Sequence, residues 1–297
     1  MQVSTNKNAV GIDISHWTSE VKDAQGNIIV GVNGIDFNVV KNQGVQFIYA
    51  KALGDYTIDD YFLTNAIGAR SAGIPIGGYH YIHVSDRLEE PEKLAEAFIN
   101  VLEATFGVGR YGDLIPVIDI EEPVSDESIL SHETVGDKLN AADILTFVVR
   151  YKNYFEQRTG IQLMIYTAEW WVKGEPTVPF RGFQDFYGTN NPIKSMPLWT
   201  AAWTRYGYQF PRDYGGWTKW TVWQHSDQGN ILGISDRGTR YNSPVGSINL
   251  NVDLNYAESL CDILIKYPRV QASIAVPIIT GVFGFVTALI FTKLFSK

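Results

Sequence analysis

Cysteine is nearly missing from this chain: Cys261 stands alone among 297 residues. No intrachain disulfide is possible and no metal site can be built on cysteine pairs. Cys261 itself reads as a small buried apolar residue. Also absent is any block of one charge. Lys and Arg number 24 against 32 Asp and Glu, for a net charge of -8, with the two signs interspersed. Nothing resembles a basic stripe that could grip a phosphate backbone, so no nucleic-acid partner is expected. Internal repeats and low-complexity tracts are missing as well. The opening "MQVSTNKNAVGIDIS" has no basic stretch followed by an apolar one, so it does not read as a secretory signal.

What is present is a composition that can bury a sizeable core, 45% hydrophobic and 13% aromatic. Short runs rich in Val, Ile and Tyr recur at 9–15, 45–51, 74–81, 114–121, 161–167, 197–203, 220–225 and 250–255. Helical patterns lie between several of them. Asp59 is placed to cap a helix that Gly73 ends. Leu94, Phe98, Val101 and Leu102 repeat at helical spacing, and a second such pattern ends at Gly160. Strands alternating with helices imply parallel pairing through crossovers. Eight of them predict an α/β fold, an irregular (β/α) TIM-like barrel. Residues 18–34, with a turn signal at Gln25-Gly26-Asn27, read as a hairpin insertion, and 124–138 as a polar loop.

The C-terminal stretch has another character. Between Val270 and Thr292 there is no Asp, Glu, Lys or Arg. As a helix it would reach about 35 Å, enough for a hydrocarbon core of about 30 Å. The expected organisation is a barrel over 1–262, a short linker at 263–273, and a transmembrane-type, membrane-inserting segment at 274–292. Basic residues flank it on both sides, so charge does not fix its orientation.

The chemistry concentrates in "IPVIDIEEP", residues 115–123. In a strand, Asp119 and Glu121 share a face with Cβ atoms about 7 Å apart. They lie at a strand's C-terminal end, where barrel enzymes place their chemistry. Asp13 in "GIDISHW" and Asp253 in "NVDLN" are placed likewise. Such a cluster suits either a hard cation or glycoside hydrolysis, which needs a proton donor beside carboxylates that stay ionised. Crowding and partial burial favour a protonated Glu121, with Asp119 as stabiliser. Trp17, Tyr79, Tyr81, Tyr166, Trp203 and Trp223 sit near the same strand ends, where aromatic faces can stack on sugar rings. That favours the glycosidase. His80 and His83 have no metal-ligand spacing and read as structural.

Together, "GIDISHW", "GVQFIYAKALGDYTIDDYF", "AGIPIGGYHY", "IPVIDIEEP", "TGIQLMIYT", "PLWTAAW", "WTVWQHSDQG" and "VDLN" resemble glycoside hydrolase family 25 in order and spacing, over residues 8–258. The resemblance implies a lysozyme, often phage-encoded, that cleaves the β-1,4 bond between N-acetylmuramic acid and N-acetylglucosamine in bacterial peptidoglycan. It needs no metal or other cofactor. It implies Glu121 as acid/base, Asp119 as assistant to the substrate's acetamido group or to the intermediate, and Asp13 and Asp253 as supporting acids. Lys51, Tyr79, Tyr81, Tyr166, Trp203, Trp223 and Gln224 are the candidate groove residues. Leu53 departs from the family, which often carries an acid there. The acids that family 18 chitinases need earlier in the same strand are absent.

With no signal read at the N-terminus, a membrane-held or virion-borne enzyme is expected, in contact with the membrane through 274–292 and with other phage particle proteins. Two rivals stand beside this reading: a non-catalytic glycan-binding barrel and a divalent-metal hydrolase.

Overall fold

The computed structural model describes residues 8–23, 25–121, 141–169, 191–204, 216–234 and 251–267. Contacts divide the chain into two units, Met1–Ile265 and Lys266–Lys297. The segment 274–292 and the loop 124–138 lie outside the described residues. Among the described residues no helix is long and apolar enough to cross a membrane.

Among the described residues, nine strands form the sheet of the first unit: β1 Ala9–Ile14, β2 Phe47–Gly54, β3 Thr57–Ile58, β4 Ile76–Tyr81, β5 Val117–Asp119, β6 Met164–Ala168, β7 Leu198–Ala201, β8 Val222–Gly229 and β9 Val252–Ala257. The order β1-β9-β8-β7-β6-β5-β4-β2, with β1 also paired to β2, closes an eight-stranded barrel. The two-residue β3 hangs on β2 as an antiparallel flap. All eight expected strands form, although β5 stops at Asp119 and leaves Glu121 just past its end.

Parallel pairing holds from β1 through β2, β4, β5, β6 and β7 to β8. It fails at β9, which is antiparallel to both β8 and β1. The expectation of uniform parallel pairing is corrected there. A parallel strand needs a crossover that carries the chain back across the barrel. The stretch between β8 and β9 has no clear helical pattern for one. β9 therefore enters at the mouth and runs away from it.

Alternation within the strands sets what faces inward. Phe47, Tyr49, Tyr79, Tyr166 and Trp199 fill the lumen, with Trp199 4.8 Å from both the Tyr49 and Tyr166 ring centres. Gly11 makes room for Phe47: a Cβ there would come within 2.3 Å of its ring. Outward residues meet the helices. In chain order these are α1 (His16–Ser19), α2 (Phe37–Asn42), α3 (Phe62–Ser71), α4 (Val84–Arg87), α5 (Pro91–Phe106) and α6 (Ala141–Thr159). α5 buries Leu94, Ala95, Phe98, Ile99 and Leu102, a helical stripe in which Ile99 takes the place expected of the half-buried Val101. Phe98 packs on Phe155 of α6, while Arg150–Glu92 and Arg158–Glu96 pair at the rim.

Three smaller expectations need correction. Cys261, in the short helix α7 (Leu260–Ile263), is exposed, because the apolar residue turned inward there is Ile263. Asp59 is not itself the N-cap of α3, which is Tyr61, although its Oδ1 accepts from the Tyr61 N–H at 3.0 Å. Its Oδ2 also accepts from both the backbone N–H and Nδ1 of His16, each at 2.9 Å, tying the β1–α1 turn down. Residues 263–265, expected to begin a linker, bond to the barrel: Ile115 N–H donates to Ile263 O and Ile265 N–H to Asp113 O. The hairpin at 18–34 does turn at Gly26, closed by a bridge between Lys22 and Ile28.

Candidate active site

The barrel's inward face carries most of the residues singled out from sequence. Asp13 pairs in register with Tyr49 and with Asp253, Lys51 with Tyr79, and Asp119 with both Tyr81 and Tyr166. Residues opposite each other in register share a face. Asp13 and Asp119 reach the mouth from the C-terminal ends of their strands. Asp253 reaches it from the N-terminal end of β9, a consequence of that strand's reversed direction. Glu121 continues from β5 toward the same space. Its charge is the strongest of four that act on the buried Tyr166 hydroxyl, ahead of Asp119, Asp13 and Asp253. After burial, those carboxylates hold the Tyr166 phenol well above its usual range, and Asp13 and Asp119 do the same to Tyr79.

Two amide side chains organise the acids. Asn255 Nδ2 donates to Asp13 Oδ2 at 2.7 Å while its Oδ1 accepts from Trp199 Nε1 at 2.8 Å. Gln224 Nε2 donates to the same Asp13 oxygen at 3.0 Å. Its Oε1 accepts from Tyr166 Oη at 3.1 Å and from Trp203 Nε1 at 2.8 Å. The Asp13 carboxyl also shares a hydrogen bond with Asp253. Burial raises the pKa of Asp13, opposed by these donors. Burial and then the Asp13 charge push Asp253 up to about 9. At neutral pH Asp253 thus keeps its proton, while both amides favour the charged form of Asp13.

Among the aromatic candidates, Tyr79, Tyr81 and Tyr166 line the lumen and Trp203 joins them through Gln224. Lys51 Nζ stands 4.7 Å from the Tyr81 ring centre. Trp223 is different. As Gln224's neighbour in β8 it points to the opposite side, where its Nε1 donates to Ala202 O and its ring meets His225 and Tyr256. Leu53 is buried. Trp17 is 68% exposed, its ring 4.6 Å from that of the anchored His16.

His80 faces outward from β4 into the helical layer. Burial lowers it to about 4, so it is neutral. Its Nε2 donates to Asp55 O at 2.7 Å and its Nδ1 accepts from Tyr151 Oη at 2.9 Å. His83 Nδ1 bonds Asp55 Oδ2 at 3.0 Å. Both histidines hold the β4 end in place. Among the described residues, no three His, Cys, Asp or Glu side chains are disposed to hold a metal ion.

Asn255 was not singled out from sequence. It stands two residues after Asp253, so the same alternation that places Asp253 inward places Asn255 beneath it.

Comparison with known proteins agrees with this geometry. The family model "Glycosyl hydrolases family 25" matches residues 12–234. The autolytic lysozyme of Clostridium acetobutylicum is 28% identical over 212 residues, 70% of this chain and 52% of that protein. Lysozyme M1 of Streptomyces globisporus is 29% identical over 228 residues, 76% of this chain and 64% of that one. The chain thus spans about half to two thirds of the length of these relatives. The spore cortex lytic enzyme SleM of Clostridium perfringens superposes with a TM-score of 0.66 at 27% identity, covering 89% of this chain and 71% of that one. With a closed barrel, an acidic mouth and a family match over most of its length, this chain belongs to glycosyl hydrolases family 25.

Proposed function

We propose that the chain is a lysozyme, hydrolysing the β-1,4 bond between N-acetylmuramic acid and N-acetylglucosamine in peptidoglycan. One observation carries the reading: Asp13, Asp119, Glu121 and Asp253 converge from three strands on one mouth, all acting on Tyr166. A binding groove has no need of so much buried charge. In this reading Glu121, on the longer arm beyond the end of β5, protonates the departing glycosidic oxygen. Asp119, fixed within the strand, offers negative charge to the oxocarbenium-like transition state or to the substrate's acetamido group. Water then completes the hydrolysis, with Glu121 taking back a proton. The relatives' names, two lysozymes and a cortex lytic enzyme, support the same substrate class.

Clearing of purified peptidoglycan by the wild-type chain and by Glu121→Gln tests this. The expected result is clearing by the first and a loss of about 100-fold or more in the second. Equal clearing removes Glu121 from its role. Glycan binding without clearing by either favours the binding barrel, and loss of clearing on EDTA treatment favours a metal hydrolase.

The proposal extends to location. The 270–292 stretch, free of Asp, Glu, Lys and Arg, supports insertion into a membrane through 274–292. With it goes a phage product, held at the host membrane or on the particle. Full-length protein found in neither fraction, freely soluble, removes that part.

A further inference from the structure

Gln224 lies on the inward face of β8, 2% exposed, with both ends of its amide committed. The orientation of that amide is forced. The Trp203 indole N–H can only donate, so the atom it meets at 2.8 Å is the oxygen. The nitrogen therefore faces Asp13 Oδ2 at 3.0 Å. The same oxygen receives the Tyr166 hydroxyl, and Tyr166 is the register partner of Asp119. One side chain thus joins β1, β6 and the end of β7, and connects the two halves of the acidic mouth.

We propose that Gln224 is a positioning residue: it fixes the Asp13 carboxylate and ties it to Tyr166 and Trp203, rather than contacting the glycan itself. The sequence pattern alone groups Gln224 with the groove; its oxygen already accepts two bonds, one N–H is given to Asp13, and at 2% exposure the other has little access to a sugar. The role matters because Asp13 sits among like charges. Asp253 faces it from β9, Asp119 and Glu121 from β5 and its extension, Tyr79 from β4 and Tyr166 from β6, while Asp227 of β8 acts on Asp253. Lys51 is the cation at that end of β2. Burial drives a proton toward Asp13, and the bonds from Asn255 and Gln224, with the one shared with Asp253, oppose that. Without Gln224, the proton shared with Asp253 shifts toward Asp13 and the charge pattern of the mouth changes. The catalytic half of this proposal rests on the lysozyme reading; the half concerning Asp13 does not.

The test uses the full chain carrying Gln224→Met or Gln224→Glu, with two readouts. Carboxyl titration by carbon-13 NMR is expected to show the Asp13 midpoint raised by about one unit or more in Q224M. Kinetics on peptidoglycan are expected to show kcat down about tenfold or more, with KM within about threefold of wild type. Q224E is expected to recover toward wild type as pH falls, since its protonated carboxyl can again donate to Asp13, whereas Q224M does not recover. An unchanged Asp13 titration in a folded variant overturns the proposal. So does a rise in KM alone, which would make Gln224 a glycan contact. If Q224M does not fold, the Q224E titration decides the matter. A shifted Asp13 with a wild type that cuts no glycan sinks the lysozyme reading and leaves the positioning role standing.

Discussion

Asp13 and Asp253 face each other where β1 and β9 pair antiparallel, and the two carboxyls share one proton. Two amides donate to Asp13 and favour its charged form, and the proton stays on Asp253. A pair so arranged makes the fold sensitive to pH. Below about pH 4 an unfolded Asp253 is protonated too, and the raised folded value changes nothing. From about 4 to about 9 the unfolded chain releases a proton that the folded chain keeps, so stability falls as pH rises. Asp253→Asn is neutral throughout and still offers Asp13 a donor. Its melting temperature relative to wild type is expected to improve steadily from pH 5 to 8. An offset that stays constant with pH contradicts the shared proton.

Asn255 tests the same network from below. Asn255→Leu keeps the volume but strands the Trp199 indole N–H and removes a donor from Asp13. Leaving buried polar groups unmatched costs about 1 to 3 kcal/mol each. Urea unfolding is expected to show a loss of roughly 2 kcal/mol or more; a loss under about 0.5 kcal/mol contradicts the assigned bonds.

His80 gives the opposite pH signature. Its folded pKa of about 4 lies below the ordinary value of 6.5. The stability that comes from keeping it neutral is present above about pH 6.5 and is lost as pH falls toward 4. In His80→Gln the wild-type chain's acid sensitivity over that window is expected to shrink, as seen by thermal melts across pH 4 to 7. Glycan cleavage by the folded variant is expected to stay near wild type, because His80 faces the helices. Parallel melting curves at every pH contradict the neutral buried histidine.

Much of this architecture was legible in the residues because two simple periods carry it. Strand alternation alone places Asp13, Asp119 and Asp253 on one face, and it locates Asn255 once Asp253 is chosen. The helical stripe at Leu94, Phe98 and Leu102 identifies α5. What the residues did not disclose depends on pairing between distant segments. The antiparallel course of β9 is set by how the chain returns from β8, which no local period records. Gln224 reads as a groove residue until its register opposite Asn255 brings it to Asp13. Trp223 belongs to the same motif as Gln224, yet alternation turns it to the other side of the strand. Asp59 bonds the chain just ahead of α3, as the local pattern suggests, but its second partner, His16, is 43 residues away and no local pattern records it.

The central claim is that the mouth built by Asp119 and Glu121 cuts glycan on the reducing side of N-acetylmuramic acid. Borohydride reduction of glycan digested by the full-length chain tests it most directly. Reduced muramic acid ends, released by wild type and nearly abolished in Glu121→Gln, are the predicted result. Reduced glucosamine ends, or equal release by the variant, would contradict the account.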